Sequence, residues 1–230
     1  IYYAADHGAN VINMSFSFPE PNSEVQQALE YATARGVVAI ASAGNTGNRV
    51  IVYPAAFPNV VGVASTTNQD ARSSFSNYGP DLVTLAAPGE ALITTYPGGN
   101  YAGVWGTSFS AALVSGAVAL LRQVDPGLDQ VAAETGLSQA EPIDPELGAG
   151  RLDLVRSLNS VALTGNVDAD GLPDWWAPRA GVDPISDRNL RALDQRVHTI
   201  SSHLRRIYEK LQLHSKTEAS AEVLYHRLLR

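Results

Sequence analysis

The sequence has 230 residues, 45% of them hydrophobic, so it can bury a substantial core and is not a wholly disordered chain. It contains no cysteine, which excludes a disulfide framework and a zinc site with cysteine ligands. The net charge of -7 is uneven, because residues 187–230 carry nine Lys and Arg against five Asp and Glu, or +4, which leaves -11 upstream. We find no run of roughly 18 apolar residues and no signal sequence at the start, and therefore expect no membrane span.

Short apolar runs alternate with helical patterns through the first 140 residues. Four apolar runs predict buried strands, at residues 10–16, 37–41, 60–64 and 82–86. Three patterns predict helices, at residues 23–35 with Ser23 as N-cap, 107–123 and 128–137. Strands that alternate with helices predict an α/β fold with a largely parallel sheet and helices on both faces.

The pattern changes after residue 158. Residues 159–186, rich in Gly, Pro and Asp from residue 164, predict a linker, and the pattern of residues 187–230 predicts a basic helical tail. Apolar residues in the tail repeat at spacings of three and four, at Leu190, Leu193, Val197, Ile200, Leu204, Ile207 and Leu211. This heptad pattern predicts a coiled coil that joins copies of the chain through residues 190–211, and a helix packed on its own domain is the alternative. The basic excess has no accompanying nucleic-acid motif and indicates a solvated face.

Three polar segments fall where a parallel sheet places its ligand site, beyond the carboxyl ends of the strands. These segments are Ser15–Ser17, Ala43–Asn45 and Gly106–Ser108. A serine at a helix N-terminus lies where unpaired N–H groups favour a developing oxyanion, and an asparagine amide can supply a second donor. Taken alone, Thr-Ser before a helix is usually a helix cap, and Ala-Gly-Asn-Thr-Gly is usually a turn. The order and placement of these segments together indicate a nucleophile site.

The same segments carry a family resemblance that covers residues 1–158. The matching motifs are N-V-I-N-M-S at residues 10–15, S-A-G-N-T-G at 42–47, Y-P-A at 53–55, F-S-N-Y-G at 75–79, A-P-G at 87–89, G-T-S-F-S-A at 106–111 and G-A-G-R-L-D at 148–153. In this combination the sequence resembles the subtilases, the subtilisin-like serine proteases. The resemblance implies a secreted endopeptidase that acts on polypeptides and needs no cofactor for catalysis.

The resemblance also implies roles for individual residues. Ser108 matches the nucleophile and Asn45 matches the side-chain donor of the oxyanion hole. The positions that match the substrate-binding surface are Ser15, Phe16, Ser17, Ala43, Gly44 and Val52. Val52 stands where a small residue often leaves the first specificity pocket deep, so we expect a shallow pocket that prefers medium apolar side chains. Tyr53–Pro54 matches a cis peptide bond of the family.

Three positions depart from the family pattern. Phe109 replaces the usual methionine after the nucleophile, Ala112 replaces a proline, and Ser17 replaces a glycine in the substrate edge. These changes could alter rate or specificity, and Ser17 could hinder addition of a substrate strand. None of them removes the nucleophile or the oxyanion donor.

The sequence lacks the acid and base motifs of this family, which precede the strand at residue 11. A serine hydroxyl needs a histidine base oriented by a carboxylate. His7 precedes the first strand, so we expect it at the opposite edge of the sheet from Ser108. We therefore predict a fragment without the N-terminal strands, signal peptide, acid and base, and inactive alone. A catalytically dead pseudoprotease that acts as a binding or assembly module is the alternative.

A candidate calcium loop lies in the linker. Oxygen-bearing side chains at alternating positions precede Gly171, and the candidate ligands are Asn166, Asp168, Asp170 and Asp174. The spacing resembles the first half of an EF-hand loop, but Ala177 stands at the twelfth position, where a bidentate glutamate is usual. A weak structural calcium site and a plain acidic turn are the two interpretations.

Overall fold

The computed structural model describes residues 1–162. The helices are α1 (Tyr2–Asp6), α2 (Ser23–Thr33), α3 (Thr107–Val124), α4 (Gln130–Leu137) and α5 (Leu154–Ala162). The strands are β1 (Val11–Met14), β2 (Val38–Ser42), β3 (Val61–Thr66), β4 (Leu85–Pro88), β5 (Leu92–Tyr96) and β6 (Asn100–Val104). The predicted calcium loop and heptad segment lie outside the described residues.

The centre of the fold is a parallel sheet of four strands in the order β1-β2-β3-β4. Because parallel strands in sequence order need crossovers, α2 connects β1 to β2 over one face. All four carboxyl ends therefore lie at one edge of the sheet, which is where the polar segments begin. The α/β fold with a parallel sheet is the one that the sequence predicts.

Side chains alternate between two cores on the two faces of the sheet. Val38, Ile40 and Val63 belong to the core that also contains Val114 and Val118 of α3. Residues at the intervening positions pack on the other face, where Ala39, Ala41 and Ala64 join Leu29 of α2. Burial on both faces explains why β2 and β3 appear in the sequence as continuous apolar runs.

Several boundaries differ by one to three residues from the sequence prediction, and two of them have a clear cause. Asn22, not Ser23, is the N-cap of α2, and its side chain accepts hydrogen bonds from the N–H groups of Glu24 and Val25 at 3.0 and 3.1 Å. The fourth strand begins at Leu85, because Leu82 and Val83, although buried, belong to the turn before it.

The antiparallel hairpin of β5 and β6 was not predicted. Its strands are half-buried or exposed and do not form a sustained apolar run, and Gly98 and Gly99 make its turn with φ of 81° and 78°. The hairpin connects the end of β4 to the start of α3.

Helix α3 is the main support of the sheet, since it packs against all four parallel strands. By length and mean hydropathy it could also span a membrane, a property shared by core helices of soluble proteins. Val114, Val118 and Leu121 are fully buried against the sheet, whereas Leu113 and Leu120 remain 44% and 41% exposed. We therefore describe α3 as a core helix with one apolar face that residues 1–162 leave partly exposed.

Adjacent leucines of α3 allow a matched test of this packing. Leu121→Ala should lower the free energy of unfolding by about 2–5 kcal/mol because it leaves a cavity in the core. Leu120→Ala, on the partly exposed face, should change it by less than about 0.5 kcal/mol. Urea denaturation of the two variants of the 230-residue chain measures both effects. Equal effects would contradict the orientation of α3.

Candidate active site

The end of β2 and the start of α3 meet through hydrogen bonds centred on Thr107. The hydroxyl and the backbone N–H of Thr107 both donate to Asn45 Oδ1, each at 2.9 Å. The same hydroxyl accepts the N–H of Gly44 at 3.2 Å. Residues 62 positions apart are thereby held together, and Ser108 is the next residue along the helix.

These bonds also orient the Asn45 amide. Its oxygen accepts two hydrogen bonds, so its Nδ2 group is assigned as the free donor, beside Gly106. A Cβ at Gly106 would lie 3.6 Å from Asn45 Nδ2, and the φ of 141° at this position also favours glycine. Asn45 is exposed, so the donor can face a ligand.

Ser108 lies in the first turn of α3 and is half-buried. N–H groups in a first helical turn have no partner within the helix and carry the positive end of the dipole. The backbone N–H of Ser108 and the Nδ2 group of Asn45 can therefore supply two donors to one oxygen atom. Asn45 is hydrogen-bonded to Thr107, and Ser108 is the residue that follows Thr107 in α3.

The predicted substrate-binding residues are brought together by a short bridge. Phe18 and Tyr53 exchange backbone hydrogen bonds of 2.8 and 2.9 Å, which tie the Ser15–Ser17 segment to the segment that contains Val52. A Cβ at Gly44 would lie 3.6 Å from Val52 Cγ2, so Ala43–Gly44 and Val52 are neighbours. Phe16 is 52% exposed. The Tyr53–Pro54 peptide bond is cis, as the resemblance implies.

Two residues of the site were assigned no role from the sequence. One is Thr107, which looks like an ordinary helix cap, and the other is Asn77 in the F-S-N-Y-G motif. Asn77 is 1% exposed, and its Oδ1 accepts hydrogen bonds from the N–H and hydroxyl of Thr46 at 2.9 and 2.7 Å. Its backbone N–H donates to the Gly44 carbonyl at 3.0 Å. Asn77 thus fixes the turn that carries Asn45.

The structure provides no base for Ser108 within residues 1–162. His7, the single histidine of that range, follows α1 and precedes β1, at the amino end of the sheet, opposite the end where Ser108 lies. Its ring stacks on Tyr3 with centroids 4.0 Å apart, and its Nδ1 contacts the Tyr3 carbonyl at 2.8 Å. In the same range, no three His, Asp or Glu side chains are grouped to hold a metal ion.

Sequence comparison matches this chain to one protein family. The subtilase family profile matches residues 1–143 of this chain. Thermitase from Thermoactinomyces vulgaris is 47% identical over 121 residues, or 53% of this chain and 43% of that protein. Subtilisin BL from Lederbergia lenta is 40% identical over 129 residues, or 56% of this chain and 48% of that protein. The chain therefore spans about half the length of these relatives.

Solved structures show the same likeness. The prenylagaramide maturation protease PagA matches with a TM-score of 0.64 and 28% identity, over 69% of this chain and 64% of that one. The epidermin leader peptide processing serine protease of Staphylococcus aureus matches with a TM-score of 0.63 and 26% identity, over 69% of this chain and 52% of that one.

The Thr107 hydroxyl should be needed to hold the turn after β2 against the start of α3. Thr107→Val keeps the shape but removes the acceptor of the buried Gly44 N–H, so we expect a loss of about 1–3 kcal/mol in the free energy of unfolding. The Gly44 amide should also exchange faster with deuterium, whereas Thr107→Ser, which retains the hydroxyl, should keep its protection. Amide exchange followed by NMR measures this difference. Unchanged Gly44 protection in Thr107→Val would show that the contact is dispensable.

Proposed function

This chain belongs to the subtilase family, and we propose that it is the nucleophile-bearing part of a serine endopeptidase. The observation that carries the proposal is the pair of hydrogen bonds from Thr107 to Asn45 Oδ1 at 2.9 Å. They direct the Asn45 amide donor toward the helix terminus that carries Ser108. A serine hydroxyl beside two converging donors supports acyl transfer to the serine.

The reaction follows from this arrangement. Ser108 Oγ attacks the carbonyl carbon of a peptide bond, and the oxyanion that forms accepts hydrogen bonds from the Ser108 N–H and Asn45 Nδ2. The Oγ proton passes to a histidine base and from there to the leaving amine, which departs with cleavage of the C–N bond. Water then hydrolyses the acyl-enzyme on Ser108 and restores the hydroxyl.

The substrate is proposed to bind as an extended polypeptide. Ser15, Phe16 and Ser17 form the edge along which its backbone would lie, and Ala43–Gly44 and Val52 form the first specificity pocket. Val52 is half-buried and adjoins the Gly44 wall, which supports a shallow pocket for medium apolar side chains. The hydroxymethyl group of Ser17 lies on the exposed side of this edge.

The base and its carboxylate are proposed to come from a part of the protein that precedes β1. This proposal is supported by the position of His7 and by the coverage of the relatives, of which the chain spans 43% and 48%. The 230-residue chain is then inactive alone. Secretion, a weak calcium site at Asn166, Asp168, Asp170 and Asp174, and self-association through residues 190–211 remain further proposals.

A fluorophosphonate probe tests the function, because it labels a serine only when a base activates the hydroxyl. The protein produced from the full reading frame should be labelled at Ser108 and should hydrolyse casein. Its Ser108→Ala variant should do neither, and the 230-residue chain should remain unlabelled.

Two outcomes would contradict the proposal. Efficient labelling of Ser108 in the 230-residue chain would show that a base is already present. A full reading frame that lacks acid and base motifs and is not labelled would support the alternative, a pseudoprotease that acts as a binding or assembly module.

A further inference from the structure

A chain of side-chain hydrogen bonds connects the middle of α3 with the carbonyl group of Ser108. The Ser115 hydroxyl donates to Asn13 Oδ1 at 3.2 Å, and Asn13 Nδ2 donates to Ser15 Oγ at 2.9 Å. Ser15 Oγ donates in turn to the Ser108 carbonyl at 3.0 Å. Two side chains at and just beyond the end of β1 thus connect two points of α3 that are seven residues apart.

The direction of each bond is fixed by the chemistry of its neighbours. Ser15 has one hydroxyl proton, and the Ser108 carbonyl can only accept, so Ser15 must accept from Asn13 Nδ2. This orients the Asn13 amide, whose oxygen then faces the Ser115 hydroxyl. The single proton of the Ser115 hydroxyl is shared between two acceptors, Asn13 Oδ1 at 3.2 Å and the Ala111 carbonyl at 2.8 Å, so its bond to Asn13 is the weaker part of a bifurcated hydrogen bond.

Asparagine is the residue type that this position requires. Asn13 aligns with Ile40 of β2, and Ile40 aligns with Val61 of β3, so its neighbours across the sheet are buried and apolar. Asn13 is exposed on an edge strand, so a polar side chain is tolerated there. Exposure alone does not explain why that side chain is asparagine. The contacts with Ser15 and Ser115 need one donor and one acceptor at once, which an aspartate cannot supply.

We propose that Asn13 is a positioning residue for the nucleophile, acting through Ser15 and anchored by Ser115. The inference rests on the proposed function, since it assigns a purpose to the fixed backbone of Ser108. Asn13 reaches the proposed substrate edge only through the Ser15 hydroxyl, and its side-chain hydrogen bonds in the described structure go to Ser15 and Ser115. It holds the first turn of α3 against the end of β1, so that the Ser108 hydroxyl keeps a single approach to the substrate carbonyl.

Asn13→Asp is the sharpest test because it keeps the size of the side chain. A carboxylate only accepts, so the Ser15 hydroxyl should turn toward it and release the Ser108 carbonyl. In the protein from the full reading frame, we expect kcat to fall about 10-fold and KM to stay within about twofold. Ser115→Ala should lower kcat less, and adding it to Asn13→Asp should cause no further loss, because both changes break one chain of bonds.

A spectroscopic measurement on the 230-residue chain is independent of activity. Labelling with carbonyl-¹³C serine and ¹⁵N phenylalanine selects four Ser–Phe peptide groups, at Ser15, Ser17, Ser74 and Ser108. The Ser108 carbonyl signal, assigned by its loss in Ser108→Ala, should move upfield in Asn13→Asp, whereas the Ser74 signal should not move. Ser115→Ala changes no residue of β1 and provides a second variant, in which kcat and the Ser108 carbonyl signal can both be measured.

The outcomes separate the inference from the proposed function. Suppose that the Ser108 carbonyl signal shifts in Asn13→Asp but the protein from the full reading frame never reacts with the fluorophosphonate probe. The contact between Asn13, Ser15 and Ser108 would then stand, and the proposed endopeptidase function would be wrong. An active protein with unchanged kcat and an unchanged Ser108 signal in Asn13→Asp would overturn the positioning role. If Asn13→Asp lowers kcat and the melting temperature together and also raises KM, Asn13 is a structural residue only.

Discussion

The site depends on the hydrogen bonds that Thr107 makes with Asn45 and Gly44. Three bonds of 2.9, 2.9 and 3.2 Å hold the turn after β2 against the start of α3. They satisfy polar groups that would otherwise be buried without partners, and they direct the Asn45 amide toward the helix terminus. Glycine at position 106 adopts the φ of 141° with which the chain enters α3. The orientation of the exposed Asn45 amide is therefore fixed by its contacts with the buried Thr107.

The sheet explains why this contact can form in a chain that spans half the length of its relatives. Four parallel strands and α3 have two apolar cores of their own, and they place the polar strand ends at one edge. Ser108, Asn45, Ala43–Gly44 and Val52, to which we assign the proposed site, all lie at this edge. A base does not lie there among residues 1–162, where the single histidine is at the amino end of the sheet. In the proposed function, the substrate-binding residues therefore lie within residues 1–162, and the base that would activate Ser108 does not.

Sequence reasoning located the elements that are buried on both faces, because burial produces continuous apolar runs at β2 and β3. It placed β4 too early because Leu82 and Val83 are buried without being in a strand, and it missed β5 and β6 because half-exposed strands lack such a run. The family resemblance indicated Ser108 and Asn45. Thr107, Asn77 and Asn13 were not assigned, since their roles depend on partners 31 to 102 residues away that no local pattern reveals. The substrate, calcium and self-association predictions remain predictions.

The most direct measurement of the central claim is kcat for Asn45→Asp in the protein from the full reading frame. Aspartate keeps the oxygen that accepts from Thr107 but removes the donor offered to the oxyanion. The account predicts a melting temperature close to that of the parent protein and a loss in kcat of about 10²–10³-fold. A kcat equal to that of the parent, in a protein with the same melting temperature, would show that Asn45 does not bind the oxyanion and would contradict the account.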